Sequence, residues 1–474
     1  MMHPALEAIK VATAGTAFDC ELWLVGGAVR DELLGIAHEA DFDLVLTGSS
    51  RDLARFLYKH KVSKIKPVVY ERFGTAMVQV EGAQIELVTA RKESYEGGSR
   101  KPEVEPATLE EDALRRDFTV NTLMRNLHSG ELKDPLGKGL ADLKAKVLRT
   151  PLEPAATFHD DPLRMLRAIR FRWKLGFSPV EGLYEAVREE GHRLKIISGE
   201  RIRDELLKML LQPTAAEAMK DLMDLGLFDQ FAPELVAMVG VDQGPYHHLD
   251  VWEHSLLVLR YVSRGSAFQA LVPDHRLKGD ATRPDLVHLL AALLHDIGKP
   301  ATKSIDEQGR IRTIGHEEVG ARTAEKLLRR LKFPVREIDE VVLLIKNHFR
   351  LGYGPTITAA TARRLVKTLG DQVPRFLALV EADRASHKPG IASPDLKQAK
   401  ELLERVQRET PRETLDSPLE GGEIMELLNI PAGPAVGKYK NLLTEKVLEG
   451  EIEPGDKAAA RQLLLRAVAE TSAS

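Results

Sequence analysis

Between residues 22 and 90, apolar and polar positions alternate in short runs: ELWLVGG, FDLVLTG, TAMVQVEG and AQIELVTA. Alternation of period two over such lengths, bounded by Gly and polar residues, predicts strands. One stretch of helical period near Ser50 to His60 interrupts them, so the region reads as a small mixed sheet with helices. After about residue 150 the period becomes helical and stays so to the end, which makes the chain α+β overall. The polar, Gly-rich segment SYEGGSRKPEVEPA separates the last strand from the helices and reads as a mobile loop. Breaks rich in Pro, Gly or polar residues fall near 212–216, 240–247, 262–285, 387–395 and 408–422, with no internal repeat and no low-complexity tract.

A chain of 474 residues is too long for one core, and three or four domains are expected. With 43% hydrophobic and 29% charged residues it has an ordinary soluble composition. The single cysteine, Cys20, excludes an intramolecular disulfide, fits a reducing compartment, and reads as a small buried apolar residue. No secretory leader pattern opens the chain and no apolar run approaches about 18 residues, so a cytoplasmic protein without a membrane partner is expected. A net charge of −4 by itself argues against a nucleic-acid partner. Its distribution changes the picture: Arg115, Arg116, Arg164, Arg167, Arg170, Arg172, Arg201 and Arg203 crowd one segment, while acids gather between Glu401 and Glu426. A local basic groove on an acidic protein is therefore open, beside the blander reading of solvated helix faces.

The chemistry begins at LVGGAVRDELLGIAHEADFDLV, residues 24–45. Gly26 and Gly27 let backbone N–H groups approach phosphate, and Arg30 and Asp31 open a helix whose first turn favours anions. Asp41 and Asp43, two apart on a strand, point the same way. Their hard oxygens suit Mg²⁺ held against a nucleotide triphosphate, the arrangement that in-line nucleotidyl transfer uses. GGAVRD and DFDLV at this spacing resemble the head of the class II nucleotidyltransferases of the polymerase beta superfamily, which include tRNA CCA-adding enzymes and bacterial poly(A) polymerases. The resemblance implies a third carboxylate, for which Glu86 in IELVTAR is the candidate, although a lone strand glutamate is more often a solvent-facing residue.

RRDFTVN, within LEEDALRRDFTVNTLM (residues 109–124), resembles the family's second motif and implies sugar and triphosphate contacts by Arg115, Arg116, Asp117 and Asn121. Simple intrahelical ion pairs are the alternative, at only about 0.3–0.5 kcal/mol each. DPLGKGLADLKAKVLRT resembles the next motif, joining head to neck. In FHDDPLRMLRAIRFRWKLGF, residues 158–177, Asp161 and Arg164 stand three apart and are expected on one helical face, with Arg167 a turn further on as another nucleotide contact. A carboxylate accepts from the exocyclic amine of cytosine or adenine while a guanidinium donates to the adjacent ring nitrogen. Uracil and guanine present a carbonyl there, leaving a polar group unpaired at a cost of roughly 1–3 kcal/mol. The family reads bases through Glu-Asp-x-x-Arg, and Asp160 replaces its first residue here. A capped helix start is the bland reading of the same segment. In SGERIRDELLKML, Glu200, Arg201 and Arg203 are expected to brace the neck.

Further on, His254, His295 with Asp296, His316, His348 and Asp383 recur along predicted helices. Imidazole with carboxylate is a transition-metal ligand set. HDIGK and the flanking histidines resemble the HD phosphohydrolase superfamily, which implies a divalent transition metal, a metal-activated water and hydrolysis of phosphomonoesters or cyclic phosphodiesters, with Lys299 assisting on phosphate.

Together the resemblances imply a polymerase-beta-like nucleotidyltransferase head (1–150), an all-α neck carrying base recognition (151–235), an HD domain (240–390) and a helical tail that bears on tRNA (391–474). They imply a tRNA nucleotidyltransferase that adds the 3′-terminal CCA from CTP and ATP with Mg²⁺, paired with a phosphohydrolase acting on RNA ends. An enzyme adding only A or only CC, a poly(A) polymerase, and an HD phosphohydrolase with an RNA-binding head remain open, and oligomeric state is not legible. For partial enzymes, YERFGT (70–75) and the loop near Tyr95 to Pro106 are where a difference is expected.

Overall fold

The four alternating runs are strands of one sheet: Trp23–Val25 (β1), Asp41–Leu46 (β2), and, after the short strand Val68–Tyr70 (β3), Thr75–Val80 (β4) and Ala83–Thr89 (β5). The computed structural model describes residues 2–37, 41–71, 74–94, 103–244, 248–269, 285–351, 357–387 and 396–472. The chain forms two compact units, Met1–Pro233 and Glu234–Ser474. The predicted break near 262–285 is helical as far as Gln269, and its remainder to 284 lies outside the described residues. Among the described residues no helix is long and apolar enough to cross a membrane.

In the first unit, the predicted mobile loop instead starts and ends as strands: Arg91–Ser94 (β6) pairs antiparallel with Glu103–Pro106 (β7), and the interior of the segment lies outside the described residues. Met124–Asn126 (β8) and Leu132–Lys133 (β9) complete a seven-stranded sheet of order β3-β4-β5-β2-β1-β8-β9, in which only β2 and β5 are parallel. One face carries Phe42, Leu44, Val78, Ile85 and Leu87, all buried. The amphipathic helix Ser50–Lys59, capped by Ser49 on the Asp52 N–H, packs Leu53, Ala54 and Leu57 on that side of β4 and β5. The other face carries Asp41, Asp43, Val45, Glu86 and Val88. Its far half is roofed by Leu109 and Ala113 of the helix Leu109–Leu114, which join Val25, Val45, Val88, Ala90 and Met124 in one cluster. The near half, with the carboxylates, has no such roof among the described residues: Asp41 is exposed and Asp43 and Glu86 are half-buried.

The helical part of the chain begins at residue 139, slightly before the predicted 150, and among the described residues it is interrupted by two-residue strand pairs. The neck is built on Leu163–Leu175, which packs on Gly199–Leu210 and Ala215–Asp224. Arg170 pairs with Glu205 at 2.6 Å inside it, and Asp221 Oδ2 accepts from Arg172, Trp173 and Tyr184 at 2.8–2.9 Å. The second unit is helical. Val251–Gln269 packs on Leu286–Leu294, and Leu286–Leu294 on Val335–Asn347, which in turn packs on His316–Arg330. Cys20 departs from expectation: it is exposed, with φ +60°, because it sits in the turn before β1 where Asn126 Nδ2 donates to its carbonyl.

Candidate functional sites in the two units

Strand register brings the head carboxylates together. Asp43 lies opposite Glu86 on the parallel neighbour β5 and opposite Val25 on β1. Cross-strand partners project from the same face, so Asp41, Asp43 and Glu86 form one acidic cluster. Burial and the charges of Asp43 and Asp41 raise the Glu86 pKa, with Arg91 and Arg115 pulling the other way. Three carboxylates on one face at such short range offer a set of hard oxygen donors, and that donor set fits Mg²⁺.

The glycine turn closes against this cluster. Gly26 has φ +72° and ψ −133°, a conformation open to glycine, and a Cβ there would sit 3.6 Å from Asp43 Oδ2 and 3.7 Å from Arg116 Nη1. The backbone therefore lies between a carboxylate and a guanidinium. Asp112, fully buried, aims both arginines: its Oδ1 accepts from Arg115 at 2.6 and 2.9 Å and its Oδ2 from Arg116 at 3.0 and 3.2 Å. Burial alone would raise the Asp112 pKa, but Arg116 and Arg115 outweigh it and hold the carboxyl below its ordinary value.

Arg30, Asp117, Asn121 and Arg167 are linked to one another by hydrogen bonds and an ion pair. Arg30 is 3% exposed and donates to Asp31 and, at 2.6 Å, to Asn121 Oδ1. Asn121 donates to Asp117 at 2.9 Å, and Arg167 donates twice to Asp117 Oδ2. Against its burial, Arg167 and Asn121 bring Asp117 down to about 2. The guanidinium groups of Arg30, Arg167 and Arg170 also ring Phe171 at 4.1–5.4 Å. These side chains spend their polar atoms on one another and tie the head to the neck.

Asp161 and Arg164 do not share a helix. Pro162 biases the residue before it away from helical backbone, and Asp161 is extended, with φ −133° and ψ 99°, at the break between Pro154–Asp160 and Leu163–Leu175. Its Oδ2 accepts from Arg201 at 3.2 Å, a contact across the neck that motif spacing alone does not reveal. Its Oδ1 accepts from the Leu163 N–H at 3.2 Å. Arg164, 9% exposed, donates to the carbonyls of Thr157 and Arg115. The two groups thus sit at one junction, braced separately, with the carboxylate at 22% side-chain exposure.

In the second unit the predicted HD residues converge. His254, His295 and Asp296 form one trio whose ligand atoms lie within 4.8 Å of one another, and Asp296, His316 and His348 form another. Asp296 belongs to both: Oδ2 is 3.1 Å from His295 Nε2, and Oδ1 is 3.5 Å from His316 Nε2 and 3.7 Å from His348 Nε2. Asp383 Oδ1 closes the first trio at 3.0 Å from His254 Nε2. Gly298 makes this possible by close approach, since a Cβ there would fall 2.1 Å from the His316 carbonyl and 2.5 Å from the Gly320 nitrogen. Asp296 Oδ1 is buried without a hydrogen bond among the described residues, which fits a metal as the missing partner. Burial and the neighbouring His295 push His348 down to about 4, so its imidazole is neutral at pH 7, the form that ligates metal. Lys299 Nζ lies 2.6 Å from Asp296 Oδ2 and donates to Gln243 at 2.7 Å. Sequence reasoning missed His387, one turn after Asp383, whose Nε2 is 3.5 Å from Asp383 Oδ1 and whose ring stacks on His254. The i,i+4 spacing was its signal.

A mixed sheet with an acidic row beside a Gly-Gly turn, continued into a helical neck, defines a nucleotidyltransferase of the polymerase beta type, here followed by an HD domain. The poly A polymerase head domain matches residues 22–149, the probable RNA- and SrmB-binding site of polymerase A matches 176–238, and the HD domain matches 251–380. The chain is 35% identical over 462 residues to the A-adding tRNA nucleotidyltransferase of Deinococcus radiodurans, covering 95% of this chain and 96% of that one. It is 30% identical to the multifunctional CCA protein of Pseudomonas fluorescens, covering 88% and 98%. The Bacillus stearothermophilus CCA-adding enzyme, solved with CTP, shares its fold end to end at a TM-score of 0.64 and 23% identity. The chain belongs to the tRNA nucleotidyltransferase and poly(A) polymerase family.

Proposed function

We propose that this protein extends the 3′ end of tRNA from CTP and ATP without a nucleic-acid template, building or repairing CCA. The observation that carries the reading is the register pair Asp43–Glu86 beside Gly26 and Arg116. The tRNA 3′-oxygen attacks the α-phosphorus, the bond from that phosphorus to the bridging oxygen breaks, and pyrophosphate leaves. Asp41, Asp43 and Glu86 would hold Mg²⁺, which would supply charge neutralisation on the triphosphate and a more acidic attacking hydroxyl. Arg116, aimed by Asp112, receives negative charge on the phosphates, and the Gly26–Gly27 backbone borders them. Asp161 and Arg164 select C and A by accepting from the exocyclic amine and donating to the ring nitrogen. The division into head, neck, HD domain and tail at 150, 235 and 390 is retained as part of this reading.

Relatives named for A addition and for complete CCA addition lie at similar identity, so identity does not decide the number of nucleotides added. The test is extension at single-nucleotide resolution of tRNA transcripts ending at the discriminator base, at C and at CC, with CTP, ATP or both. Stepwise growth to CCA and arrest is the expected result. A added only to CC ends, or arrest at CC, assigns half of a divided pathway; unbounded A addition assigns a poly(A) polymerase. No incorporation at all overturns the reading.

The shared Asp296 supports a second activity, hydrolysis of phosphate esters at RNA ends by the HD domain. His254, His295, Asp296 and Asp383 would hold a divalent transition metal, with Asp296, His316 and His348 as a second ligand group, and the metal would supply an activated water. Asp43→Ala should abolish incorporation and keep hydrolysis, while His295→Ala with Asp296→Ala should do the reverse. Wild-type hydrolysis by that double variant would sink this assignment.

A further inference from the structure

The head sheet continues past its carboxylates. Register carries the Asp43 row across three further strands: Asp43 opposite Glu86, Glu86 opposite Met77, and Met77 opposite Val68 on the edge strand β3. Asp41 likewise heads a row through Gln84 and Gln79. These rows share the open face, about 14 Å wide at strand spacings near 4.8 Å. Gln79 and Gln84 are exposed, and Val68, at 51%, is an apolar edge left in solvent. Lys64 and Lys66, both exposed, lead into that strand. Residues 51–70 carry six lysines and arginines against one acid, Asp52, on a chain of net charge −4. Among the described residues neither Lys64 nor Lys66 makes an ion pair, whereas Lys92, Lys133, Lys220 and Lys457 are each paired with an acid.

The direction of attack says what this face is for. Gly26 and Arg116 lie on the β1 side of Asp43, so the triphosphate and its departing pyrophosphate occupy that side. In-line displacement places the entering hydroxyl opposite the leaving group, which is the β5 side. We propose that the open face from β5 to β3, ending in Lys64 and Lys66, is the track along which the 3′ strand of the RNA substrate enters, its phosphates meeting the two lysines and a base lying on Val68. This rests on the nucleotidyltransfer reading. RNA is favoured over an anionic membrane because the basic edge is continuous with the rows that hold the reacting centre, and because Gln84 and Gln79 stand beside Met77 in the interval, so the face is not uniformly apolar.

The experiment compares the full chain with Lys64→Glu/Lys66→Glu and with Arg55→Glu/Lys59→Glu, an equal charge change on the helix covering the opposite sheet face. Binding of a CC-ended tRNA transcript is measured with chelator over a salt series, and steady-state KM values for RNA and CTP are determined. Two lost phosphate contacts should raise the RNA Kd on the order of tenfold and flatten the log Kd against log salt slope by about 1–2. The KM for CTP should stay unchanged, and the helix variant should shift RNA binding far less. Equal effects in both variants, or none in the first, overturn the track. So does loss of binding to anionic phospholipid vesicles with RNA binding intact. A wild-type protein that extends no RNA would instead refute the nucleotidyltransfer reading itself.

Discussion

Glu86→Gln separates a metal-binding carboxylate from an ordinary strand residue, because the two roles predict opposite signs for stability. Glu86 and Asp43 stand on adjacent strands in direct register, and like charges about 5 Å apart repel by roughly 3 kcal/mol at an effective dielectric of 20. The cluster opens to solvent, and screening there reduces the net to about 1 kcal/mol. The raised pKa gives the same sign. The native state binds the Glu86 proton more tightly than the unfolded chain, so this residue costs stability once pH exceeds its folded pKa and nothing below its ordinary 4.5. Neutral Gln should therefore raise the metal-free melting temperature by about 2–4 °C at pH 7, and the gain should vanish near pH 4.5. Saturating Mg²⁺ should reverse the order, since ligand at 100 times its Kd adds about 2.7 kcal/mol to a protein that binds it. Incorporation should fall by about 10²- to 10³-fold, several kcal/mol of transition-state stabilisation. Calorimetric melts with chelator and with Mg²⁺, beside extension assays, check this. A lower metal-free melting temperature for the variant, or equal Mg²⁺ stabilisation of both proteins, would refute the reasoning.

Asp112→Asn should cost about 3 kcal/mol in urea unfolding, by stripping the buried partner from two guanidinium groups, and should raise nucleotide KM. Because the Asp112 pKa is depressed, the stability it adds is present above its ordinary 3.8 and is lost as pH falls through the folded value, so variant and wild type should converge in acid. Arg201→Ala should loosen Asp161 and lower the preference for CTP over UTP by about 5- to 150-fold in competing-nucleotide assays, with CTP incorporation falling less. Unchanged discrimination would count against Arg201 as the brace of that carboxylate. Gly298→Ala should push the HDIGK turn off the His316 segment at a cost of about 1–3 kcal/mol or more, weakening transition-metal binding measured by titration calorimetry while incorporation by the first unit persists.

Where the sequence was legible, the relevant geometry was local. Asp41 and Asp43 share a face because side chains alternate on a strand, and β1, β2, β4 and β5 follow from their alternating runs. The HD ligands were legible as residue types, while their arrangement was not: the sharing of Asp296 depends on a backbone approach of Gly298 to Gly320 that no spacing encodes. Asp161 shows the boundary between the two cases. Separation by three predicted one helical face with Arg164, yet Pro162 already carried the contrary signal, since the residue before proline avoids helical backbone. The partner that fixes Asp161, Arg201, lies 40 residues on and reaches it only once Gly199–Leu210 packs on Leu163–Leu175. The displacement has a functional consequence. A carboxylate on a helical turn moves with its helix, whereas one at a break, held by one arginine and one backbone N–H, turns when either contact is lost. If Asp161 selects the base as proposed, base choice is sensitive to neck packing, and substitutions in Gly199–Leu210 far from the acidic cluster should alter which nucleotide is added before they alter how fast.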